Sequence, residues 1–170
     1  MSQLDGGRSG RLYLRELEGA EGYMLDGQYK TVYVRPGETT TVEWENTPIM
    51  GQIQVYKYAA EYNAVTGTPA GTPLQGAVYE IIHARSGKVL DYITTDARGV
   101  AASKPLSLDR YKVVEVKAPA YWQVDAIVHD VMLEYADQII KLSSYDKTAA
   151  LGVTMTKRGN AEVLTGQTSR

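Results

Sequence analysis

Cysteine and phenylalanine are both absent from the 170 residues. Without cysteine there is no disulfide, no iron–sulfur cluster and no thiol nucleophile, and the redox compartment is left open. Without phenylalanine, the aromatic part of any core falls to 13 Tyr and 2 Trp. Tyrosine suits a strand and carries a polar tip that needs a partner when buried. A basic excess is lacking too: the formal net charge is -2, which argues against a nucleic-acid footprint. No apolar run is long enough to span a bilayer, and no signal-peptide core is visible, so native targeting signals are expected outside this stretch. His83 and His129 are the only histidines, with neither a zinc-protease pair nor cysteines beside them, and they are expected at strand edges or the surface. The acidic residues lack the spacing of a calcium loop, and Arg85-Ser-Gly-Lys88 lacks the upstream glycine of a phosphate loop and is expected to be a turn. No cofactor and no metal are expected.

What the sequence does contain is short alternating segments punctuated by Gly, Pro, Asp and Asn, with no convincing amphipathic helix, and this predicts an all-β chain. Strands are expected over 11–17, 29–34, 39–46, 52–59, 76–84, 88–95, 110–117, 123–134 and 138–146. Thr66–Leu74 is a Gly/Pro loop, and Thr94–Ala101 is a turn built on Asp and Gly. Three strands break the apolar alternation in the same way. Tyr111, Val113 and Glu115 share a face; so do Ile53, Val55 and Lys57; so do Ile140, Leu142, Ser144 and Asp146. Each row ends on a charge where a core residue belongs. A charge aimed into a β core is costly without partners, so each marks a buried polar network or chemistry. Taken singly, Lys57 also fits a lysine whose stem packs while its head reaches water, and Glu115 fits an ordinary buried ion pair. Asp130 and Asp137 are rivals to Asp146, although the first falls in the preceding strand and the second in a turn.

The chain also repeats itself. RLYLRELEGAEGY matches DRYKVVEVKAPAYW, setting Glu16 opposite Glu115, and VEWENTPIMG matches LSSYDKTAALG, setting Asn46 opposite Asp146. GQIQVYK from Gly51 is echoed by GVTMTK from Gly152. Three matches in one order at a nearly constant offset of about 100 residues indicate a tandem array. Residues 1–48 are expected to be the end of one unit, 49–150 a whole unit, and 151–170 the start of a following module. Neither flank holds enough strands to bury a core alone.

The succession GQIQVYKY, PLQGAVYEI, TTDARG, LSLDRYKVVEVKAPAYW and a last strand ending in a carboxylate or amide resembles the B-type, CnaB-like repeat of Gram-positive collagen-binding surface proteins, adhesins and pilins. The resemblance covers 51–147, and 11–47 resembles the end of a sister repeat. It implies a seven-stranded antiparallel β-sandwich of the prealbumin-like or immunoglobulin-like kind. It also implies an intramolecular isopeptide bond, with Lys57 as the amine, Asp146 as the acyl partner and Glu115 as general acid/base. Burial is expected to leave Lys57 a neutral nucleophile. Glu16 and Asn46 are the equivalents in the preceding unit.

The function expected from this resemblance is a structural stalk or spacer, extracellular and attached to the wall of a Gram-positive bacterium, with its anchor outside this stretch. Its partners would be neighbouring repeats of the same chain and, through other domains, host matrix. It is not expected to be an enzyme beyond one self-directed turnover. The alternative is a ligand-binding module that contacts a host matrix protein or glycan through exposed loops such as 61–73.

Overall fold

The computed structural model describes residues 10–152 and 154–158. All regular structure in it is β. The strands are β1 (Gly10–Leu14), β2 (Lys30–Val34), β3 (Met50–Ala59), β4 (Val78–His83), β5 (Val89–Thr94), β6 (Val100–Ala102), β7 (Leu106–Ser107), β8 (Arg110–Lys117), β9 (Val128–Met132) and β10 (Ile139–Asp146). One sheet has the order β10-β3-β6, with β7 also paired to β3; the second has the order β5-β4-β8-β9. Strands β3 and β10 run parallel, and the other pairings are antiparallel.

The alternating rows close onto one another. Ile53 and Val55 of the first sheet pack with Tyr79, Ile81, Tyr111 and Val113 of the second, in a core extended by Leu106, Val131 and Leu133. The two large aromatics in this core are tyrosines. The Tyr111 hydroxyl donates to the Ser107 carbonyl at 2.6 Å, and Tyr79 donates inside the core itself, so neither polar tip is stranded. A smaller cluster of Ala59, Leu74 and Trp122 lies at the end of the sandwich.

Turn chemistry fixes the frame. Asp96 accepts from the backbone of Arg98 and Val100 at 2.9 and 3.0 Å, and Gly99 takes φ 74°. A Cβ on Gly99 would lie 2.6 Å from the Lys57 carbonyl, so only glycine lets this turn approach β3. The Gly99 carbonyl in return accepts the Lys57 N–H at 2.8 Å. The 85–88 segment is a turn, as expected, closed by the Gly87 N–H donating to the His83 carbonyl at 2.9 Å.

Two expected strands differ from the structure. Residues 123–127 are a loop that leads into β9, because the Asp125 side chain caps the Ile127 N–H at 3.1 Å in a local turn. Residues 39–46 lie outside any ladder. Their counterpart β10 is held by β3 over its whole length, and no strand among the described residues stands to 39–46 as β3 stands to β10. Residues 10–34 still form the two-stranded sheet β1-β2. Most of the module expected from 151 onward lies outside the described residues.

Candidate functional site

Lys57 lies on β3 opposite Ser144 of β10, and Tyr79 lies on β4 opposite Glu115 of β8. The first pair belongs to one sheet and the second to the other, so the two pairs meet across the interior. Asp146, two residues beyond Ser144, shares its face. Lys57, Glu115, Ser144 and Asp146 are all buried, and the Lys57 and Asp146 side chains have no exposed surface.

The lysine ammonium is the hub. Its Nζ donates to Glu115 Oε2 at 3.0 Å and to Ser144 Oγ at 2.8 Å, and it touches Asp146 Oδ1. It also lies 5.4 Å from the centre of the Tyr79 ring. Neither Asp146 oxygen accepts a well-aligned hydrogen bond, and neither does Glu115 Oε1. The carboxyl beside the amine is thus close but poorly satisfied, which makes this buried ion pair a costly one. The rival carboxylates lie elsewhere: Asp130 pairs with Lys112 at 3.2 Å, and Asp137 occupies a turn at φ 61°.

Three further residues belong to the cluster. Ser144 Oγ accepts from Lys57 and from the Tyr79 hydroxyl, at 2.8 and 2.9 Å, which leaves its own proton to donate to Asp125 Oδ2 at 3.2 Å. The Asp125 N–H donates to Glu115 Oε2 at 2.6 Å. Lys57, Ser144, Asp125 and Glu115 therefore close a ring of hydrogen bonds, with two ammonium protons held in it and the Asp146 carboxyl on the remaining side. Ser144 was legible from its place in the inward row. Tyr79 and Asp125 had no signal of their own, because a tyrosine in a strand and an aspartate in a loop are both ordinary.

Burial pushes the Glu115 carboxyl up to about 7, and its contact with Asp146 adds to the rise. Burial raises Asp146 as well, and pushes the Tyr79 hydroxyl up to about 12. Lys57 differs from the expectation that burial would neutralise it. Burial does disfavour its charge, but Asp146, Tyr79 and Glu115 together outweigh that cost and hold it above its ordinary value. A neutral amine would require proton transfer within the cluster: with Glu115 protonated, moving one proton from Lys57 to Asp146 would leave all three groups neutral.

The preceding unit repeats this arrangement in outline. The Asp26 N–H donates to Glu16 Oε2 at 3.0 Å, as Asp125 does to Glu115, and Asn46 Nδ2 donates to Glu16 Oε1 at 3.3 Å. Asp26 also accepts the Gln28 N–H at 3.0 Å, the counterpart of the Asp125 turn. The structure therefore places Glu16 beside Asn46, apart from the Lys57 cluster. Among the described residues no group of three or more His, Asp or Glu is placed to hold a metal ion.

Comparison with known proteins gives the fold its family. A family model described as SpaA, prealbumin-like fold domain, matches residues 65–148. The trypsin-resistant surface T6 protein of Streptococcus pyogenes serotype M6 is 29% identical over 94 residues, which is 55% of this chain and 17% of that protein. The solved structure of the Bacillus anthracis TIE protein superposes with a TM-score of 0.66 at 26% identity, over 82% of this chain and 25% of that one. The chain thus spans a quarter or less of the length of these relatives. Residues 65–148 match the SpaA prealbumin-like fold domain and carry that CnaB-like fold, and β3, which lies outside the match, pairs with β10 within it.

Proposed function

We propose that this chain is a load-bearing spacer of a Gram-positive surface protein or pilus, and that its central domain is locked by an isopeptide bond between Lys57 and Asp146. The observation that carries this reading is the position of the Lys57–Glu115–Asp146 cluster. It bridges the first and last strands of the domain, which are parallel neighbours, in a site closed to water. The family supports a surface role, and the streptococcal relative is itself described as a trypsin-resistant surface protein.

The chemistry follows from the geometry. Lys57 Nζ, freed by proton transfer, attacks Asp146 Cγ. The C–N bond forms and a C–O bond breaks, with water leaving. Glu115, protonated at the outset, donates to the departing oxygen and takes the proton released from nitrogen, so it ends as it began. Fixed strands replace an encounter between two groups by a held one. The turnover is single, because the product stays in the chain.

Intact mass tests the proposal. The folded protein is expected to weigh one water less than its sequence. Lys57→Ala, Asp146→Ala and Glu115→Gln are each expected to restore the full mass. Wild-type protein that keeps its full mass after long incubation in the folded state would leave only a buried polar cluster.

A further inference from the structure

The histidine at the end of β4 has a serine on one side and a carboxylate on the other. His83 Nδ1 lies 2.8 Å from Ser86 Oγ, and His83 Nε2 lies 2.8 Å from Asp109 Oδ2. The hairpin between β4 and β5 brings the first two together. The His83 N–H donates to the Lys88 carbonyl at 2.8 Å and the Gly87 N–H to the His83 carbonyl at 2.9 Å, which folds Ser86 back toward the imidazole. Asp109 comes from the residues just before β8, where the Ala84 N–H donates to the Arg110 carbonyl at 3.0 Å. Tyr111, opposite His83 on β8, sets its ring at 66° to the imidazole with the centroids 6.0 Å apart. Backbone bonds alone already close this turn, so the three side chains are not needed to close it.

The hydrogen bonds assign the protons. The Ser86 N–H donates to His83 Nδ1 at 3.3 Å, so Nδ1 carries a lone pair and the ring proton sits on Nε2, facing Asp109. The Ser86 hydroxyl then donates to Nδ1, and its oxygen accepts the Lys88 N–H at 3.3 Å. The bond from His83, with the Arg110 N–H second, holds the Asp109 carboxyl below its ordinary value. An ionised Asp109 can orient the ring and stabilise an imidazolium. Relative to the triad of serine proteases the ring is turned round, with Nδ1 toward the serine, but either nitrogen can take a proton. Ser86 is exposed, while the His83 and Asp109 side chains keep only 21% and 33% of their surface open.

We propose that Ser86, His83 and Asp109 form a surface site for acyl transfer from an activated ester, with Ser86 as nucleophile, His83 as general base and Asp109 as the residue that positions the base. Ser86 Oγ attacks the acyl carbon while its proton passes to His83 Nδ1. The bond from the acyl carbon to the leaving oxygen breaks, and that oxygen takes the proton from Nδ1. His83 then takes a proton from water, the hydroxide adds to the acyl carbon, the bond to Oγ breaks, and Ser86 recovers its proton. The net reaction is ester plus water giving acid plus alcohol. The substrate class follows from what the turn withholds. The N–H groups of Ser86, Gly87 and Lys88 are all engaged within the turn, so none is left to hold an oxyanion. The ester must therefore bring its own activation, as an aryl ester does. Arg85 and Lys88 are exposed on either side of Ser86 and favour a leaving group that departs as an anion. The site shares no residue with the Lys57 cluster.

The test treats the full chain with a fluorophosphonate probe, from which a nucleophilic serine displaces fluoride, and locates the adduct by peptide mass spectrometry. Ser86 is expected to be labelled ahead of Ser107 and Ser143, which are also exposed. The full chain should hydrolyse p-nitrophenyl acetate faster than Ser86→Ala does. His83→Gln should slow labelling about a hundredfold, the ordinary contribution of a general base. Added imidazole should restore labelling to His83→Ala, which a lost turn contact would not allow. Asp109→Asn should slow labelling, and Asp109→Glu should recover it by restoring the carboxylate. Ser86→Ala should keep whatever mass loss the wild type shows, so this site and the Lys57–Asp146 bond stand or fall separately. Labelling of Ser86 no faster than of Ser107 and Ser143 would overturn the nucleophile. Unchanged labelling in His83→Gln would overturn the base, and equal hydrolysis by Ser86→Ala and wild type would overturn the reaction.

Discussion

Lys57 holds its charge inside a dry core because three partners surround it, and the proposed bond formation would depend on how protons are shared among them. In that proposal the fully neutral form requires Glu115 to be protonated. Burial sets that carboxyl at about 7, so the rate of bond formation should be highest below that pH and fall as pH rises through it. A time course of mass loss in freshly refolded protein at several pH values would show this. The sign of the stability effect agrees. Glu115 has a folded value above its ordinary one, so before cross-linking it contributes stability that is full below about 4.5 and lost as pH rises through about 7. Ser144 makes a different prediction. It touches the amine but not the acyl carbon, so Ser144→Ala should slow mass loss without abolishing it, since Glu115 still holds the lysine. Loss of the slowing on Ser144→Thr, which restores a hydroxyl, would separate positioning of the amine from mere packing.

At the level of elements, the site is held by turns as much as by strands. The Asp96–Gly99 turn grips the Lys57 backbone, and the Ala118–Trp122 connection seats Trp122 against Ala59 and Leu74. Tyr121 in that connection has φ 70°, a left-handed conformation that costs a non-glycine residue about 1–2 kcal/mol. It is retained because the Tyr121 carbonyl accepts from buried Asn63 Nδ2 and from the Ala149 N–H, both at 3.0 Å, tying the last residues of the domain to the 61–73 loop. The Tyr121 side chain itself is exposed. Tyr121→Gly should therefore raise stability by about 1 kcal/mol, read by denaturant unfolding in a Lys57→Ala background where the cross-link is absent. Gly99→Ala should act in the opposite sense, because its Cβ has no space against the Lys57 carbonyl. It should also slow cross-linking, because it shifts the strand that carries the amine.

The whole molecule places its polar cluster where a pulled chain would first give way. Tension enters β3 at Met50 and leaves β10 after Asp146, so adjacent parallel strands are loaded in shear. A bond between Lys57 and Asp146 would pass that load directly from one strand to the other and leave residues 58–145 without tension. Single-molecule pulling should then show no unfolding step from the central domain of the wild type. Lys57→Ala should show one with a length gain of about 300 Å, the reach of the released segment. In bulk, closing a loop of most of the domain should contribute about 4–5 kcal/mol by analogy with a disulfide, seen as the difference in unfolding free energy between wild type and Lys57→Ala.

Much of this was determined by the sequence alone. Alternation assigned Lys57, Glu115 and Asp146 to the inward face, because a strand has a period of two and a charge in an apolar row stands out. The repeat at an offset of about 100 residues paired Glu16 with Glu115 and Asn46 with Asp146 before any fold was known. What alternation could not supply was distance. Only the packing of β3-β10 against β4-β8 decided that Lys57 lies within reach of both carboxyls, that Tyr79 and Asp125 complete the ring through Ser144, and that the partners hold the lysine charged where burial alone would neutralise it. Segment 39–46 makes the same point from the other side. Its pattern is that of a strand, but a strand is defined by its neighbour's hydrogen bonds, and those belong to tertiary structure.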